Sequence, residues 1–177
     1  MTARILVTVS RSYRELSTMR EALEQTHARL PHAVLVHGDD EDSDHKARGI
    51  WRGLGGADEP WPADWPHCTI DCPRAAHRKI RRRTGEEYCP GAGHHRNRAM
   101  VESAPALVLA FIDPKSRTNG AKSTADLAEE AGITTLRYVQ GKASPELANA
   151  DWNPDDYDPP GRPIESVSLP PIPGEDL

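Results

Sequence analysis

Four short apolar runs, RILVTV (4–9), AVLV (33–36), ALVLAFI (106–112) and ITTLRYV (133–139), recur along the chain with helical patterns between them, and this alternation narrows the fold most. After the polar SRSYRE, Leu16, Met19, Leu23 and Leu30 stand near helical spacing, and Pro31 stops that helix. A second helix follows HGDDEDSD (37–44), with Ala47, Ile50, Trp51 and Leu54 on its inner face, and Gly55 and Gly56 close it. HHRNRAMVESA (94–104) and KSTADLAEEAG (122–132) have the same character. Strands alternating with helices close by right-handed crossovers, so the expected fold is α/β: a doubly wound, mostly parallel sheet with helices on both faces. Prolines in EPWPADW (59–65) leave room for only a short third strand.

Residues 66–93 break this rhythm. They hold all three cysteines, many charges and almost no apolar residues, and they read as an insertion. No run in the 177 residues approaches a membrane span, and MTARILVTVSRSY lacks the features of a secretory signal, so the expected compartment is the cytoplasm. In a reducing cytoplasm, clustered thiols point to metal ligation or reactivity rather than disulfides. The spacing Cys68-x3-Cys72-x4-His77-x11-Cys89 supplies three thiolates and an imidazole, the ligand set of a closed, structural zinc site. Such a site explains how a segment poor in apolar residues holds a fold, because one zinc contributes on the order of 10 kcal/mol in small zinc domains. His67, His94 and His95 compete with His77 for the fourth position. His77 is preferred because it lies inside the loop, whereas His94 and His95 sit at the start of a helix.

From residue 142 onward, eight prolines and eight acidic residues fill 36 positions against two basic ones. This composition predicts a domain over 1–141, with the Cys/His insertion inside it, followed by an extended tail over 142–177. Trp152, Tyr157 and Ile164 are the residues that can pin parts of that tail.

In a sheet of this kind the ligand crevice lies outside the carboxyl ends of the strands. The residues expected there are Ser10 and Arg11 after the first strand, Gly38 to Asp44 after the second, Asp64 after the third, and Ser116 to Thr124, including Gly120, after ALVLAFI. PGAGHHRNRAM adds Gly91, Gly93, Arg96 and Asn97 at a helix start, where close backbone approach and unpaired N–H groups suit an anion. Among the acids of the second loop, Asp44 is the expected hydrogen-bond acceptor for a ribose or base.

Taken in order, RILVTVSR, VHGDDEDSD, PADW, AGHHRNRAMV, LAFI and SRTNGAKSTADLAEEAGI resemble the SLOG superfamily. This is the Rossmann-like nucleotide-binding group that includes the cytokinin-activating LOG enzymes and the DNA-processing protein DprA; the likeness is to its small YspA/YpsA-related bacterial and phage branch. The resemblance covers roughly residues 4 to 139 and implies a nucleotide-derived ligand at the strand ends. Pairing of two copies through helices is common among such domains. The chain departs from the pattern at Val9, where the branch has glycine, and at the acidic DDED, where it has a glycine-rich loop. In the LOG-type PGGxGTxxE turn, Gly120 is kept, Ala121 replaces the threonine, and Thr124 stands at the catalytic glutamate position.

Three functions compete on these grounds. A zinc-stapled module that binds a nucleotide-derived ligand without turnover fits the missing glutamate. A hydrolase of N-glycosidic or phosphate bonds requires Asp44 or Asp64 to act beside Arg96. Nucleic-acid binding through the insertion draws on RKIRRR (78–83), although an aromatic content of 5% argues against a stacking platform for single strands.

Overall fold

The computed structural model of the protein describes residues 2–73 and 77–147. The chain runs β1 (Arg4–Val9), α1 (Leu16–Arg29), β2 (Val34–His37), α2 (Asp44–Gly53) and β3 (Ala57–Pro60), then a small hairpin of β4 (Lys79–Ile80) and β5 (Glu87–Tyr88). It continues through α3 (Ala92–Glu102), β6 (Leu107–Ile112), α4 (Gly120–Glu130), β7 (Thr135–Val139) and β8 (Glu146–Leu147). The main sheet has the order β3-β2-β1-β6-β7-β8, parallel except for β8, which pairs antiparallel with β7. The doubly wound α/β architecture expected from the alternating pattern is therefore present.

The period of two along each strand divides the core. Ile5, Val7 and Val9 of β1, with Leu107, Leu109 and Phe111 of β6, face the layer of α1 and α2, where they meet Met19, Leu23, Ala47 and Trp51. Leu6 and Val108 point the other way, toward Met100 and Val101 of α3 and Ala128 of α4. Ala110 and Ile112 meet Ala121 and Ala125 of α4 on that same face. Every residue of β6 is buried, as a central strand covered on both sides requires. Leu16, expected on the inner face of α1, is 47% exposed instead: it begins the helix, and Ala22 and Thr26 complete the buried stripe.

Three boundaries shift from the sequence reading. β3 starts two residues before EPWPADW, so Trp61 to Trp65 form the segment that leaves the sheet. α3 begins at Ala92, which places the last two residues of the 66–93 insertion in a helix of the main fold. The sheet also continues past residue 141, because Glu146 and Leu147 add an edge strand and Leu147 packs against the core. Trp152, Tyr157 and Ile164 lie outside the described residues. Among the described residues, no helix is long and apolar enough to cross a membrane.

Candidate functional site

β1 and β6 are neighbours, yet the chain winds outward from β1 through β2 and β3 on one side and from β6 through β7 on the other. At such a reversal the loops diverge and leave a crevice. A cavity of about 430 Å³ lies there, walled by Val9 at the end of β1, Ser10 and Arg11 after it, Asp40, Ser43 and Asp44 before and at the start of α2, and Trp65 after β3. The starts of α3 (Gly93, His94, Arg96, Asn97) and α4 (Thr118, Asn119, Gly120, Ala121, Ser123) complete the wall. Neither α3 nor α4 has a side-chain cap or an acidic residue in its first turn. Two positive helix ends therefore face one cavity with no protein carboxylate answering either of them from its own first turn.

Charge on the α2 side is arranged differently. Arg11 donates to Asp40 Oδ2 at 2.6 and 3.1 Å through Nη2 and Nε. Burial pushes Asp40 up, but this bond and one from Ser43 outweigh it and hold the carboxyl below its ordinary value. Asp44 is 6% exposed, and burial raises it to about 6 against the opposing charge of Arg96. Arg96 is itself pulled below the usual arginine value by burial. It donates to the backbone carbonyls of Gly38 and Trp61, and its Nε donates to Asn97 Oδ1 at 2.8 Å. Arg96 thus ties the ends of β2 and β3 to α3 while bordering the cavity. Gly38 permits this, since a Cβ there would stand inside the guanidinium.

Of the pocket residues expected from sequence, Ser10, Arg11, Asp44, Gly93, Arg96, Asn97 and Gly120 line the cavity. Gly38 lies beneath Arg96 rather than at the wall. Asp64 faces His67, whose Nδ1 is 2.8 Å from it, and both side chains are largely exposed. Ser116 sits in a turn closed by its N–H to Asp113 O. Thr124 is fully buried and donates its hydroxyl to Gly120 O, so the position has turned inward along its own helix.

The cysteines converge beside this cavity. Cys72 Sγ and Cys89 Sγ are 3.6 Å apart; His77 Nε2 lies 3.2 Å from Cys68 Sγ and 3.5 Å from Cys89 Sγ. All four donor atoms fall within 4.8 Å of one another. Bonds of about 2.0–2.3 Å to a tetrahedral ion place thiolate and imidazole donors roughly 3.3–3.8 Å apart, so the donor set fits a closed metal site. His77 is the histidine in this group; His67 is turned to Asp64, and His94 lines the cavity. His95 stands beside the cluster, with Nε2 3.4 Å from Cys72 Sγ and 3.3 Å from Thr69 Oγ1. Desolvation pushes the Cys72 thiol up, but hydrogen bonds from Thr69, Cys89 and His95 outweigh it and hold it at about 6.

Much of the basic run is committed to the insertion itself. Arg78 donates to Glu87 and to Pro66 O, and Arg81 stands 5.5 Å over the Trp65 ring and 5.2 Å over Tyr88. Lys79, Arg82 and Arg83 remain exposed along the hairpin.

Sequence reasoning misses several wall residues, among them Met100, His94 and, with the largest flat surface, Trp65. Trp65 follows Asp64 in PADW, and the charged neighbour is the more obvious candidate; the chain turns here, with the Trp65 N–H bonded to Ala63 O, and only Trp65 reaches the cavity. The chain matches no family model, no curated protein and no solved structure.

Proposed function

We propose that the protein binds a nucleotide-derived ligand in the cavity at the sheet's reversal point, in the manner of the SLOG superfamily it resembles, and that the Cys/His cluster is a structural zinc site. The observation that carries this reading is the meeting of two uncapped helix starts over one cavity that also presents Asp44. N–H groups of α3 and α4 suit a phosphate, and a carboxylate on the opposite wall suits the hydroxyls of a ribose. Cys68, Cys72, His77 and Cys89 would hold the zinc. When bound, it supplies cross-linking of a segment that has little apolar surface to bury. Three thiolates and an imidazole leave no open position for catalysis.

A screen of nucleotides, ADP-ribose and NAD by thermal shift and calorimetry tests the pocket. Arg96→Ala should weaken the best ligand by roughly tenfold to a hundredfold, the loss of one charge-assisted contact. Thr124→Ala should leave affinity unchanged, because that hydroxyl is spent on Gly120 O. Since Arg96 also holds two backbone carbonyls, thermal unfolding of the unliganded variant is measured beside its affinity. Absence of binding by every compound to the wild type would overturn the reading.

A hydrolase working in the same cavity is the second reading. Asp44, held at about 6 beside Arg96, favours it, because a carboxyl titrating near neutrality can carry a proton to or from a bound substrate. Product release from the best-binding compound, lost in Asp44→Asn, is the result that would replace binding with turnover.

A further inference from the structure

Trp65 belongs to two parts of the molecule at once. Its ring forms part of the cavity wall, and the edge of its six-membered ring lies 3.3 Å from where a Cβ on Gly93 would stand, so the first turn of α3 passes close beside it. From the other direction the metal-binding segment grips it. Cys89 donates its backbone N–H to Trp65 O at 2.8 Å, the Tyr88 ring meets it edge-on at 6.2 Å, and the Arg81 guanidinium covers a ring face.

An indole partly buried by a cation and an aromatic ring has little freedom to turn, so the surface it gives the cavity is preformed. Apart from His94, the rest of the wall is polar or aliphatic: hydroxyls, carboxylates, two guanidiniums and two helix starts. A phosphate and a sugar are served by those groups, but a planar heterocycle is not. Among the described residues, Trp65 and His94 are the aromatic side chains on this wall, and the indole has the larger flat face.

We infer that Trp65 is the stacking platform for the base of the ligand, held in place by the metal-bound segment, and that the pocket therefore selects molecules carrying a planar heterocycle over sugar phosphates alone. This rests on the nucleotide-pocket reading above. The insertion accordingly positions a binding residue that stands just before it, through Cys89, Tyr88 and Arg81.

The test is calorimetry on the full zinc-loaded chain with AMP, GMP, CMP, UMP and ribose 5-phosphate. The tightest nucleotide should bind the wild type at least about tenfold more tightly than ribose 5-phosphate, as one base stacked on an indole provides. Trp65→Ala should abolish that preference while changing ribose 5-phosphate affinity less than about twofold, and Trp65→Phe should restore most of it. If Trp65→Ala loses its metal or its cooperative unfolding, Trp65→Leu against Trp65→Phe decides, since leucine keeps apolar bulk without a ring. Equal losses for nucleotide and sugar phosphate would make Trp65 a shaping residue and overturn the inference while the pocket stands. Equal binding of both kinds of probe by the wild type would overturn it in the same way. A wild type that binds none of the five overturns the platform, and the pocket falls with it where ADP-ribose and NAD also fail to bind.

Discussion

Asp44 is the residue where the molecule's electrostatics are most exposed to experiment. Its carboxyl is raised by burial from an ordinary 3.8 to about 6, despite the facing charge of Arg96. The folded value lies above the unfolded one, so the neutral acid stabilises the fold below about pH 4 and that contribution is lost as pH rises through 6. Asp44→Asn should therefore gain stability over the wild type at pH 8, by on the order of 3 kcal/mol, with little gain at pH 4. Urea unfolding at the two pH values checks it; a gain independent of pH would mean that the asparagine acts through packing instead. Asp44 is legible in the sequence because it opens a helix after a strand. The burial that separates it from the neighbouring Asp40 and Asp42 is not, since a run of like acids gives no sign of which one turns inward.

At the scale of elements, the insertion and the helix after it are joined within a few residues. Cys89 belongs to the Cys/His cluster, Ala92 begins α3 and donates to Cys89 O, and His95 reaches back from the first turn of α3 to Cys72. Cys72→Ser should remove most of the bound zinc and loosen residues 66–90 while the six-stranded sheet still unfolds cooperatively. His95→Ala should keep one zinc per chain but weaken its hold by about 10- to 100-fold, the usual cost of removing a partner that supports a ligand. Native mass spectrometry with a competing chelator separates the two; full zinc retention in Cys72→Ser would sink the four-ligand assignment. The clustering of Cys68, Cys72, His77 and Cys89 is readable because soft donors at short spacing have few other uses in a loop without a core. The role of His95 is not, because a helix places residue 95 where only its turn, not its distance in sequence, brings it to Cys72.

For the whole molecule, the alternation of strands and helices is enough to specify layers and a parallel sheet, because each apolar run must be covered on one face or two. It is not enough to find β8. Two residues, Glu146 and Leu147, carry no period, and the proline-rich composition around them points away from a strand. Yet they shield the outer side of β7, and Leu147 extends the core. A chain ending at Leu147 should match the full protein in thermal midpoint within about 2 °C, whereas one ending at Ala143 should melt several degrees lower, as the loss of about 1 kcal/mol of edge packing implies. Equal midpoints for both truncations would show that the edge strand is dispensable.

The pairing of β1 with β6 also sets an order of events during synthesis. Ile5 aligns with Leu107, so the first strand made must wait for more than half of the chain before its second neighbour exists. At about 5–20 residues per second the ribosome takes roughly 5–20 s to supply it, and until then one side of β1 is an open template for any passing strand. The segment that carries Cys68, Cys72, His77 and Cys89 is finished within that interval. On the proposed zinc reading, a cell short of the metal leaves the nascent protein with two unfinished parts instead of one, and its yield should depend on metal supply.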